Sequence, residues 1–433
     1  MNAELQSDIL QRIQARREAI IAFTQALLRI PTANTPPSGN EKPAQAFLAE
    51  KLASLGLEVA LFCLDEVPGL TSHPAYRVGG SVEIARDYRD RPDLVGVWRG
   101  RGGGPSLIVA SHVDVVPPGD PAQWRYDPWS GTRGEGRIYG RGAIDAKGPL
   151  AAAVMAMACL REMGLALGGD LIFQSFVDEE YGGGNGALAT ILHGYRADGA
   201  LMLEPTDLVV CPATYGCQSF KIAVHGQGAH PIERWQGVDA IGLALRVYQS
   251  LQELEALRGR SAQSLPLFGE REIPAPLIVR RFESQTLGGG AVPDLCEMQA
   301  WMTTLPGESQ ASLLAQVSEH LAASLSDSAW LKTHRPAIRT MGRFLEATSL
   351  PVEAPLVKAA RSAQQRVLGE TRIGVGTSGD GFIYANYGGM PLVEMGPGPI
   401  HRAHAPNEHI TEQELLDAVA LIALTIVEWC GVA

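Results

Sequence analysis

Apolar residues recur along this chain in two rhythms. At i, i+3, i+4 spacing they mark amphipathic helices over 4–28, 42–55, 150–163 and 412–427, with another near Pro355 to Val367. Between these lie short unbroken apolar runs, Ser106–Ala110, Leu171–Val177, Gly199–Leu203 and Met390–Met395, which are too short for helices. They read as strands covered on both faces, as in a parallel sheet. Strand and helix in alternation predict an α/β fold: a three-layer αβα domain with a mainly parallel sheet.

The rhythm changes after Cys211-Pro212. Gln218–Val224 alternates like a half-exposed strand, Gly237–Leu257 is helical, Ala275–Thr286 and Leu295–Thr304 are strands, and Ser309–Leu325 is a second helix. That order suits a small antiparallel α+β, ferredoxin-like domain inserted into the first. The expected organisation is a catalytic domain in two segments, 1–213 and 331–433, interrupted by a lid and dimerisation domain at 214–330.

Each apolar run of the larger domain stops on groups that carry chemistry. The first ends at His112 and Asp114, the second at Asp178-Glu179-Glu180, the third at Glu204-Pro205, and the last is followed by His401 and His404. Ligands of such sheets collect beyond the carboxyl ends of the strands. Three adjacent acids repel one another unless a positive group lies between them or one holds a proton. Residues two apart in extended chain share a side, so Asp114 is placed to accept the second ring N–H of His112. The glycines of Tyr139–Pro149 fit no phosphate loop and instead let the main chain bring Asp145 into a crowded site. The turn-rich linker Ile30–Gly39 is not placed by these patterns.

Composition narrows the function. A formal charge of −11 and a pI near 5.5 argue against nucleic acid or an anionic membrane as partner. The N-terminal stretch has no uninterrupted apolar core of the kind a signal peptide or membrane span needs, which predicts a cytoplasmic protein. Six scattered cysteines without a C-x-x-C pair read as reduced core residues.

Six motifs together resemble the zinc-dependent M20 aminoacylase and peptidase family. They are S-H-V-D at 111–114, G-R-G-A-I-D-A-K-G at 140–148, D-E-E at 178–180, E-P-T at 204–206, G-A-H at 228–230 and A-H-x-x-N-E at 403–408. The resemblance implies two zinc ions, with cobalt or manganese as substitutes, bridged by Asp145. His112 and Glu204 would hold one ion, Glu180 and His404 the other, His404 being chosen over His401 on the motif. It implies that Glu179 is the general acid/base acting on a metal-bridging hydroxide, that Asp114 supports catalysis behind His112, and that His230, in the inserted domain of a homodimer, reaches the partner's site to bond the tetrahedral intermediate. Glu179 and Glu180 then face different ways, as neighbours in extended chain do.

One departure bears on substrate. The family's Asn and Arg, which bind a substrate carboxylate, fall here on Gly290 and Thr303, and losing a guanidinium removes the strongest carboxylate anchor a side chain offers. The substrate therefore need not carry a free carboxylate, although Arg280 and Arg281 are possible replacements. The expected activity is hydrolysis of a small N-acyl amino acid or related amide. A metallo-dipeptidase or carboxypeptidase is the alternative, and a binding protein that kept the fold without catalysis is a more remote one. A phosphate-handling two-metal enzyme is disfavoured because no phosphate-cradling loop or arginine clamp is present.

Overall fold

The structure is a computed structural model that describes residues 2–79, 83–287 and 291–433. The chain divides into two units, one made of 1–214 and 348–433, the other of 215–347.

The first unit opens with helices α1 (Ala3–Ala15), α2 (Arg17–Leu28) and α3 (Lys42–Ser54). Strands β1 (Glu58–Cys63), β2 (Pro92–Trp98) and β3 (Leu107–His112) follow, then the hairpin β4 (Thr132–Gly134) and β5 (Arg137–Tyr139). Next come α4 (Lys147–Glu162), β6 (Leu171–Phe176), α5 (Asn185–Leu192), β7 (Ala200–Met202) and β8 (Val210–Thr214). The second unit holds β9 (Gly216–His225), α6 (Ala240–Ala262), β10 (Leu277–Gln285), β11 (Leu295–Thr304), α7 (Gln310–Ser324), α8 (Ala329–Thr333) and β12 (Ala337–Leu345). The chain then completes the first unit with β13 (Thr348–Ser349), α9 (Pro355–Leu368), β14 (Ile373–Gly376), β15 (Leu392–Glu394), β16 (His409–Thr411) and α10 (Glu412–Cys430).

The large sheet runs β1-β2-β6-β3-β7-β15-β8-β13, with β14 also paired to β8. Its centre is parallel: β3 pairs with both β6 and β7, and β7 with β15. β1 and β2 extend one side in antiparallel fashion. Every residue of β3 and β6 is buried, so both faces of the sheet are covered. That is the α/β architecture expected from the alternation of runs. The parallel register brings His112 of β3 level with Phe176 of β6, one residue before the turn that carries Val177 and the acidic cluster.

The second unit is an antiparallel sheet in the order β10-β11-β9-β12 with α6 and α7 packed on it. Phe220, Ile222, Val224, Met298, Val247 and Leu321 belong to its core. The βαββαβ order matches the expected ferredoxin-like arrangement. The expected segment, 214–330, stops before β12, which pairs with β9 and completes this sheet. β12 lacks an apolar run because it is a half-exposed edge strand with arginines at 339 and 343.

Two further expectations change. The single helix foreseen over 4–28 breaks at Arg16, which caps α1 outside helical geometry. The stretch 77–104, whose irregular pattern predicts no strand, contains β2, whose seven residues are all buried although Pro, Asp and Gly interrupt the pattern. Among the described residues no helix is long and apolar enough to cross a membrane.

Phe173 is fully buried in the centre of β6. Phe173→Ala is expected to cost about 3–5 kcal/mol, read as a lowered thermal midpoint of the transition that reports the large sheet.

Candidate metal centre

The first unit gathers its expected site residues at one end of the parallel strands. Asp145 lies between two imidazoles: one carboxylate oxygen is 3.0 Å from His112 Nε2, the other 3.1 Å from His404 Nε2. Glu180 approaches the same His404 nitrogen at 2.9 Å, and Glu204 lies 3.9 Å from His112 Nε2. One ligand atom from each of His112, Asp145 and Glu180 falls within 4.8 Å of the others. Imidazole nitrogens and carboxylate oxygens converging in this way are the kind of donor set that a divalent cation takes. Glu204 Oε1 is buried without a hydrogen-bond partner, as an oxygen reserved for a cation would be.

The local chain explains how Asp145 gets there. Gly142 has φ 88°, and a side chain at Gly148 would run into the carbonyl oxygen of Ala143. Glu408, buried, accepts from the main-chain N–H of Ile144 at 3.0 Å and of Asp145 at 3.3 Å, and is held by Arg141 at 2.6 Å. Lys147, wholly buried at the start of α4, donates to the carbonyl of Ile30 at 2.9 Å and lies over the ring of Trp129. Asp178 and His404 adopt left-handed main-chain conformations, φ 70° and 61°, where non-glycine residues are uncommon.

His112 is oriented differently from the expectation. Its Nδ1 lies 2.8 Å from the main-chain oxygen of Asp114, while the Asp114 carboxylate is 3.7 Å away. That carboxylate accepts instead from the main-chain N–H groups of Glu179 and Glu180, each at 3.2 Å. The carbonyl still holds the ring in one tautomer with Nε2 facing Asp145.

Charge crowding shows in the titration of the cluster. Burial, reinforced by Asp380, Glu204 and Glu180, pushes Glu179 well above the usual carboxylate range despite His112. Burial and Asp145 raise Glu180 to about 7, and burial raises Glu204 strongly against the pull of His112. Hydrogen bonds to Asp145 and Glu180 raise His404 to about 10. Asp145 goes the other way: burial opposes its charge, but His112 and His404 together hold it low. On Glu180, Glu204 and His404 a proton and a cation would compete for the same atoms.

A side chain at Gly379 would come within 3.3 Å of Glu179 Oε1 and 3.8 Å of Glu204 Oε1, so the turn after β14 runs directly against both acids. The sequence reading did not single out this turn, whose signal is the string Thr377-Ser378-Gly379-Asp380-Gly381. It also left Asn34, Arg141 and Glu408 without roles.

His230 belongs to the second unit, where it is exposed and its Nδ1 accepts from Ile232 N–H at 3.4 Å at the head of a short 3-10 turn. Thr303, buried in β11, donates to the carbonyl of Pro276 at 3.2 Å, and its own carbonyl accepts from Arg258 at 2.9 Å. Arg280 donates to Ser219 at 2.9 Å and Arg281 pairs with Glu283 at 2.6 Å. Gly290 lies outside the described residues.

The sequence profile of peptidase family M20/M25/M40 matches residues 108–428. The chain belongs to this family. It is 26% identical to the N-formyl-4-amino-5-aminomethyl-2-methylpyrimidine deformylase of Halalkalibacterium halodurans, covering 98% of this chain and 97% of that one. It is 35% identical to the succinyl-diaminopimelate desuccinylase of a Methylobacterium species over 43% of this chain and 42% of that one. Among solved structures, human carnosine dipeptidase 1 superposes with a TM-score of 0.67 at 15% identity, covering 98% of this chain and 99% of that one. The chain is accordingly a metal-dependent hydrolase of amide bonds.

Proposed function

We propose that this protein removes a small acyl group, formyl foremost, from an amine that carries no free carboxylate, using two divalent cations, zinc by preference, held by His112, Asp145, Glu180, Glu204 and His404. What supports this reading is the convergence of His112, Asp145, Glu180 and His404, together with Thr303, which the family resemblance aligns with a carboxylate-binding arginine. The Thr303 hydroxyl is already engaged with Pro276, and both Arg280 and Arg281 have partners. An N-formyl aminomethylpyrimidine, the substrate type in the name of a relative aligned over nearly the whole chain, has this chemistry. The desuccinylase likeness spans less than half of the chain and supports N-acyl amide hydrolysis in general.

When bound, the cations polarise the scissile carbonyl and make water a stronger acid. Glu179 takes the proton of the attacking water and passes it to the leaving amine; its oxygen shares the Gly379 turn with Glu204 Oε1, beside the cation site. In a homodimer formed through the second unit, the partner subunit's His230 would bond the developing oxyanion. The exposure of Ile232 and Trp235, 76% and 73%, on the turn that follows His230 fits a surface covered by a second copy. Such an enzyme would work in the cytoplasm.

Turnover of an N-formyl aminomethyl heteroaromatic, an N-acetyl amino acid, its carboxamide and a dipeptide separates the readings. The formyl amine should give the highest kcat/KM, by about tenfold or more, and acid and carboxamide should differ by less than about tenfold, since no guanidinium discriminates between them. A strong preference for the free acid or the dipeptide would favour the peptidase reading. Glu179→Gln should keep its metal content while kcat falls by about 10²–10⁴, as measured by elemental analysis and steady-state kinetics on one preparation.

A further inference from the structure

The linker Ile30–Gly39 is not a bystander. Ala33 forms a parallel bridge with Val115, Asn34 N–H donates to the Val115 carbonyl at 2.9 Å, and Val115 N–H donates to Thr32 at 3.1 Å. The linker thus continues the main-chain pairing just beyond β3 and delivers the fully buried Asn34 behind the acidic cluster. Asn34 Nδ2 lies 2.8 Å from Asp114 Oδ2 and 3.3 Å from Asp178 Oδ1. One carboxamide therefore spans two buried carboxylates. The chemistry fixes which way the amide points, because its oxygen could not face two acceptors. Around this bridge, Asp178 also accepts from Tyr88 at 2.6 Å and lies 3.2 Å from Arg86 and 3.8 Å from Arg91, and Arg91 is paired with Glu41 at 2.7 Å.

Asp114 passes this restraint on. Its two oxygens receive the main-chain N–H groups of Glu179 and Glu180, so where Asp114 sits decides where both peptides sit. We infer that Asn34 is a positioning residue: acting through Asp114, it places the main chain from which Glu180 reaches the cation site and Glu179 the reacting water. Asp178, its other anchor, gains a role as the fixed end of the bridge. This inference rests on the reading of Glu180 as a metal ligand.

The test compares Asn34→Asp, which keeps shape but removes both donors, with Asn34→Ala and Asn34→Ser, and uses Thr32→Val as a linker control because the buried Thr32 hydroxyl makes no hydrogen bond. Zinc affinity is measured by chelator competition, kcat and KM at saturating zinc, the cobalt-substituted absorption spectrum, and folding by circular dichroism. Displaced outer partners typically weaken metal sites about 10–100-fold. Folded Asn34 variants should lose that much affinity for the more weakly held cation, alter the cobalt spectrum and lose kcat more than KM, whereas Thr32→Val should match the unaltered protein. Folded variants with zinc affinity, spectrum and kcat within twofold of the unaltered protein overturn the inference. Failure of all three to fold also overturns it, by assigning Asn34 to the scaffold. Glu180→Gln separates the two layers: unchanged zinc affinity there would overturn the ligand reading itself, while lost affinity there with intact Asn34 variants would overturn only the role of Asn34.

Discussion

The constraint on which this site depends is the repulsion among Asp145, Glu179, Glu180 and Glu204, buried together at the ends of adjacent strands. Isolated buried carboxylates carry a large desolvation cost, and grouping them multiplies it. Two histidines offset part of this by facing opposite oxygens of Asp145. Burial pushes Glu179, Glu180 and Glu204 towards their protonated forms, so the rest would be met by protons or by cations in their place. The site is thereby built so that its resting electrostatics favour a divalent cation, and the proposed role of Glu179 as a base fits a group whose surroundings raise its affinity for a proton.

Holding such a cluster requires neutral and cationic donors behind it. Arg141 and Glu408 brace the Asp145 loop, Asn34 joins Asp114 to Asp178, and Arg91 with Glu41 closes the back of that network. Each of these groups is buried, and each satisfies a main-chain or carboxylate atom that water cannot reach. The parallel centre of the sheet supplies the common edge from which His112, the acidic turn and Glu204 project.

Much of this was legible in the sequence because strong signals coincide there. Unbroken apolar runs ending on His or acid located β3, β6 and β7 and with them His112, the D-E-E cluster and Glu204, while the G-A-H and A-H-x-x-N-E motifs came from family likeness. What escaped notice has physical reasons. β2 is buried on both faces yet interrupted by Pro92, Asp93 and Gly96, and β12 is a half-exposed edge strand interrupted by Arg339, Thr340, Gly342 and Arg343. Asn34 lies 80 and 144 residues from the two acids it bonds, and the Gly379 turn is at least as far in sequence from the acids it faces; long-range contacts of this kind leave no periodic trace. The carboxylate of Asp114 was assigned to His112 from spacing alone, but its own main-chain carbonyl takes that bond and frees the side chain for Glu179 and Glu180.

The bridging position of Asp145 is the centre of the account, and equilibrium dialysis against zinc, comparing the unaltered protein with Asp145→Asn, addresses it most directly. Two tightly held zinc ions per chain in the unaltered protein, with neither retained at comparable affinity in the variant, is the predicted result. A single zinc per chain, or a variant that keeps one site at full affinity, would contradict a shared carboxylate.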